Sequence, residues 1–131
     1  MFSVNHVTIS VSNMEETTKF YHKFGFVDFK NYKDENVEIT LLKLNEMILE
    51  IFCYNQYEQL PEHSKDLLKD LKTIGTKHFA LGVESVEKAK EYLLENDLID
   101  TDIDICKGRL GKKYFFIKDP DGILVEIIEN D

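Results

Sequence analysis

A histidine-led strand pattern occurs twice in this chain, 72 positions apart, and that repetition constrains the fold more than any other feature. His6-Val7-Thr8-Ile9-Ser10-Val11-Ser12 precedes a helix-like stretch ending in Phe20-Tyr21-His22-Lys23-Phe24-Gly25. His78-Phe79-Ala80-Leu81-Gly82-Val83-Glu84 precedes a second helix-like stretch containing Tyr92-Leu93-Leu94. Each copy then closes on an apolar strand carrying one acid, Ile48-Leu49-Glu50-Ile51-Phe52 in the first and Leu124-Val125-Glu126-Ile127-Ile128 in the second. Glu50 follows His6 by 44 positions and Glu126 follows His78 by 48, and one longer turn, Asp119-Pro120-Asp121-Gly122, accounts for the difference. A period this long implies two pseudo-equivalent modules rather than a solenoid.

Local signals fill in each module. Ser12 with Glu15 three residues later reads as a capping box, Phe20, Tyr21 and Phe24 form an apolar stripe, and Gly25 stops the helix, which is predicted over about 13–24. Strands are predicted over 26–32, 37–44 and 47–54, separated by the polar turns Lys33-Asp34-Glu35-Asn36 and Asn45-Glu46. Pro61, then Leu67, Leu68, Leu71 and Ile74, then Gly75 predict a linker helix over about 60–75. The second module reads as a strand over 78–84, a helix over 86–95, and strands over 99–106, 113–118 and 123–129. The expectation is an α+β chain forming one domain over 1–131. It is made of repeated β-α-β-β-β modules over about 1–56 and 76–131.

Strand parity tests whether the histidines and acids have room to act together. Successive strand residues point to opposite faces, so His6 shares a face with Thr8 and Ser10, and His78 with Ala80 and Gly82. Both histidines therefore sit among small side chains. Glu50 shares a face with Ile48 and Phe52, and Glu126 with Leu124 and Ile128, where an isolated carboxylate is costly without a compensating cation or solvent. Two His and two Glu in one register of two repeats point to a divalent-metal site. His22, on the first helix, and His63, in the polar linker, lack that support and read as surface residues.

Composition narrows the partners. A formal charge of −9 argues against nucleic acid and anionic membranes, which attract Lys/Arg-rich surfaces. No apolar run approaches the roughly 20 residues of a membrane span, and no signal-peptide pattern opens the chain, so a cytoplasmic location is expected. Cys53 and Cys106 lie in unrelated strand-like runs and read as small buried hydrophobes rather than a disulfide.

The paired β-α-β-β-β modules, the strand-opening His6 and His78, and Asp119-Pro120-Asp121-Gly122 followed by Glu126 resemble the vicinal oxygen chelate superfamily, which includes glyoxalase I. The resemblance implies a curled mixed sheet around a metal-binding cleft. It implies His6, Glu50, His78 and Glu126 as ligands of a divalent ion, with nickel, zinc or cobalt preferred to iron. Ring-cleaving dioxygenases of the superfamily resemble only the His6, His78 and Glu126 subset, and a fourth ligand occupies a position they need. The implied activity is that of a glyoxalase I-like lyase or isomerase moving a proton next to a carbonyl, with Glu126 as first choice of base and Glu50 as its counterpart. Alternatives are a methylmalonyl-CoA epimerase-like enzyme and a non-catalytic antibiotic-binding protein of the same fold. The implied partners are a small molecule, with thiol adducts among the candidates, and a second copy of the chain in a homodimer. Thr8, Arg109, Lys112 and Tyr114 are the candidate substrate contacts. Bacterial glyoxalase I commonly has an arginine shortly after the first histidine, where this chain has Ser10, and its one arginine is Arg109.

Overall fold

The computed structural model describes residues 1–100 and 103–131, in two compact units, Met1–Gln59 and Leu60–Asp131. In the first, strand β1 (His6–Ser10) leads to helix α1 (Met14–His22) and to strands β2 (Val27–Lys33), β3 (Val37–Leu44) and β4 (Met47–Tyr54). The sheet order is β1-β4-β3-β2, with β1 parallel to β4 and the other neighbours antiparallel. The second unit opens with a 3-10 turn (Glu62–Lys65) and helix α2 (Leu67–Lys72). It continues through β5 (Phe79–Val83), α3 (Val86–Glu95), β6 (Cys106–Lys107), β7 (Lys113–Lys118) and β8 (Leu124–Glu129). Its sheet repeats the first, in the order β5-β8-β7-β6 with β5 parallel to β8. The expected duplication is therefore present strand for strand. A parallel pair cannot be closed by a hairpin, so the helix and two strands between its members form the crossover.

Each sheet buries one face under its own helix. In the first unit Ile9, Val11, Leu42, Leu49 and Ile51 are buried on the face that alternation assigns them, together with Met14, Thr17 and Tyr21 of α1. The Tyr21 ring meets Phe26 edge-on, with centroids 5.9 Å apart. In the second unit Leu81, Phe115, Ile117, Val125 and Ile127 are buried with Val86 and Leu93 of α3. The opposite faces, which carry His6 and His78, remain partly open.

Helix starts and strand ends differ most from expectation in three places. Asn13, not Ser12, caps α1: its side chain accepts from the Glu16 N–H at 3.0 Å, so the helix begins at Met14. The linker forms the 3-10 turn and α2 but leaves helical geometry at Thr73, where Lys77 Nζ takes the carbonyls of Asp70 and Thr73. Of the strand expected over 99–106, residues 101 and 102 lie outside the described residues, and the strand present is Cys106–Lys107. The N–H groups of Leu98 and Ile99 both turn back to the Leu93 carbonyl, which commits that end to terminating α3. Among the described residues no helix is long and apolar enough to cross a membrane.

Turn chemistry holds the hairpin between β2 and β3. Asp34 Oδ1 accepts from the N–H groups of Asn36 and Val37 at 2.8 and 2.9 Å, and Tyr32 Oη donates to Asp34 Oδ2 at 3.0 Å. The Asn36 and Val37 amides, then the Tyr32 hydroxyl, hold the Asp34 carboxyl below its usual value, and the same carboxylate raises the Tyr32 phenol. A depressed carboxyl contributes stability above its unfolded titration range and loses it as pH falls through the folded value. Asp34→Asn keeps an acceptor for the turn, so its unfolding midpoint is expected to fall less between about pH 5 and 2 than that of the parent. Ile51→Ala, within the buried face, is expected to lower stability by about 2–5 kcal/mol in urea unfolding.

Candidate functional site

The parallel pairs set the site. In β1 and β4, His6 lies opposite Ile48 and Thr8 opposite Glu50, so His6, Thr8 and Glu50 share a face. In β5 and β8, Ala80 lies opposite Glu126, and His78 immediately precedes β5, two positions before Ala80. Histidine and glutamate therefore occupy the same register offset in both units. His6 Nε2 is 3.3 Å from Glu50 Oε1, and His78 Nε2 is 3.6 Å from Glu126 Oε2. Side-chain exposure is 39% and 24% for the first pair but 18% and 16% for the second, so the second pair is the more enclosed.

The neighbours of the two pairs differ. His6 Nδ1 faces Asn5 Oδ1 at 2.6 Å, and Thr8 Oγ1 donates to Glu50 Oε1 at 2.9 Å. His6 thus has an oxygen close to each ring nitrogen, Asn5 Oδ1 at Nδ1 and Glu50 Oε1 at Nε2. Glu126 has Ala80 opposite it, which carries no donor. His78 packs edge-on against Phe116, with centroids 4.7 Å apart, and its Nδ1 is buried without a hydrogen-bond partner. Phe116 lies directly opposite Glu126 on β7.

Each unit by itself offers one imidazole and one carboxylate. Among the described residues no group of three or more His, Cys, Asp or Glu side chains is gathered closely enough to hold a metal ion. The donor chemistry fits zinc, nickel or cobalt, which accept imidazole nitrogen and carboxylate oxygen together. In each unit the imidazole Nε2 and a carboxylate oxygen stand 3.3 or 3.6 Å apart, a separation that two ligands of one such ion can have.

The expected substrate contacts separate. Tyr114 shares the Glu126 face and meets Phe116 edge-on at 5.8 Å. Lys112 pairs with Asp131 at 2.7 Å, and Arg109 lies exposed in the turn between β6 and β7. Thr8 touches Glu50 itself. His22 and His63 are exposed as expected, at 2.7 Å from Asp28 and 3.9 Å from Asp70. Sequence reasoning passed over Asn5 and Phe116. Adjacency to His6 signals the first, and two-residue alternation from Tyr114 signals the second.

Comparison with known proteins places these features among relatives. The sequence model of the glyoxalase/bleomycin resistance protein/dioxygenase superfamily matches residues 3–127. A glyoxalase family protein from Enterococcus faecalis is 30% identical with a TM-score of 0.79, over 97% of each chain. The trypanothione-dependent glyoxalase I of Leishmania major superposes with a TM-score of 0.69 at 20% identity, over 98% of this chain and 87% of that one. A bleomycin-binding protein in complex with bleomycin superposes with a TM-score of 0.65 at 16% identity, over the full length of both chains. The last two likenesses show the fold alone. No curated protein sequence gives a significant match.

Phe116→Leu keeps bulk but deletes the ring edge against His78. It is expected to lower stability by about 0.5–1.5 kcal/mol in urea unfolding.

Proposed function

Because the chain belongs to the glyoxalase/bleomycin resistance protein/dioxygenase superfamily, we propose that it is a metal-dependent lyase or isomerase that moves a proton between carbons next to a carbonyl. In this reading His6, Glu50, His78 and Glu126 jointly hold one nickel, zinc or cobalt ion, from one chain or from two copies of it. The observation that carries it is the duplicated His–Glu pair at the same register offset of both parallel strand pairs. The bound ion supplies Lewis-acid stabilisation of negative charge developing on adjacent substrate oxygens.

The chain's own residues divide the remaining work. Thr8 holds Glu50 by a hydrogen bond, which suits a fixed ligand. Glu126, opposite Ala80, lacks that restraint and is the better base, able to take a proton from one carbon and return it to the next. Asn5 orients the His6 ring through Nδ1, leaving Nε2 directed at the Glu50 side. Phe116 and the enclosed position of His78 and Glu126 limit water around the base. The substrate is a small molecule with adjacent oxygens, a thiol adduct among the candidates.

Dialysis against nickel, zinc or cobalt followed by elemental analysis is expected to show stoichiometric metal, lost in His6→Ala and His78→Ala. Loaded protein is expected to isomerise the methylglyoxal–glutathione hemithioacetal or to epimerise methylmalonyl-CoA. Glu126→Gln should lower turnover about 100-fold or more on whichever is used. No stoichiometric metal overturns the enzymatic reading in favour of a metal-free binding protein; metal without either activity overturns both named substrates.

A further inference from the structure

A groove in the second unit reaches Phe116, the residue paired with Glu126 across β7 and β8. It encloses about 460 Å³ between the start of α2, the segment after α3 and strands β7 and β8. Its walls include Leu67, Leu98, Ile99, Ile103, Phe116 and Leu124, an apolar set drawn from four separate stretches of chain. The charged groups at its margin are Lys65, Asp66, Asp100 and Lys118, of which Asp66 accepts from the Lys69 N–H at 2.9 Å as the cap of α2 and Lys65 Nζ bonds Glu62 at 2.8 Å. Apolar side chains make up most of its lining, in a volume suited to a ring or a branched alkyl group.

One residue joins this groove to the chemistry. Phe116 lines it, stands opposite Glu126 across β7 and β8, and packs against the His78 ring. Leu124, two residues before Glu126 and on the same strand face, lines it as well. A group seated here is one side chain away from the base. We infer that this groove receives the apolar, non-reacting part of the substrate, so that among compounds with adjacent oxygens an aryl or branched-alkyl one is preferred to a short-chain one. This rests on the proton-transfer reading of His78 and Glu126. Apolar contact remote from the reacting carbon orients the carbonyl against Glu126, and a short-chain substrate leaves that contact unused.

Phenylpyruvate and pyruvate share adjacent oxygens and differ by one phenyl ring, so they serve as paired probes. Titrating each into isotope-labelled protein, with and without zinc, is expected to show phenylpyruvate binding about 10-fold tighter or more, with shifts at the amides of Leu98, Phe116 and Leu124. Leu67→Trp fills the groove from α2, and Ile103→Trp fills it from the loop should the first variant fail to fold. Either should abolish the preference and leave pyruvate affinity unchanged. Equal affinity for the two acids, or a preference that survives both tryptophans, overturns the inference. Stoichiometric zinc with no phenyl preference removes the groove's role and leaves the metal reading standing. A phenyl preference in protein that binds none of zinc, nickel or cobalt removes the metal reading instead.

Discussion

The parallel pairing of β1 with β4 and of β5 with β8 is the constraint on which everything else rests. A parallel pair sets partner residues on one face, so the offsets His6/Thr8–Glu50 and His78/Ala80–Glu126 bring an imidazole and a carboxylate together in each unit. The same pairing sends Ile9, Leu49 and Ile51, or Leu81, Val125 and Ile127, to the opposite face, where α1 or α3 covers them. One face is therefore core, and the other carries the histidine and glutamate of each unit. A register slip of one residue would exchange the two, exposing the buried set and forcing Glu50 or Glu126 under a helix. Core burial thus enforces the placement of the polar pair without any direct contact to it.

The two copies have diverged where the pairs meet their neighbours. Thr8 supplies a hydroxyl to Glu50, and Ala80 supplies nothing to Glu126. Asn5 contacts His6 through a polar bond, whereas His78 is held by the edge of Phe116. The first pair is the wetter and more tethered, and the second is the drier.

Much of this was legible in the residues. Strands 37–44, 47–54 and 113–118 and the helix over 86–95 stand where alternation, turn residues and helical spacing put them. Capping was misplaced by one residue because Ser12 and Asn13 are both good caps, and only backbone geometry selects between them. The stretch after α3 resisted reading because Ile99 has strand-like composition, while the Leu93 carbonyl captures its N–H and that of Leu98. Phe116 escaped notice as a contact of His78 because an aromatic in a strand signals core, and its ring edge toward an imidazole depends on the neighbouring strand.

By itself the sequence determined the duplication, the face on which each histidine and acid lies, and the family, because periodicity, parity and spacing are properties of local backbone geometry. Tertiary structure alone decided which residue stands across from each acid, which histidine is enclosed, and that an apolar groove adjoins Phe116. Those features arise from pairing between strands more than 40 positions apart and from the packing of loops that carry no periodic signal, and neither is encoded in any short stretch of the chain.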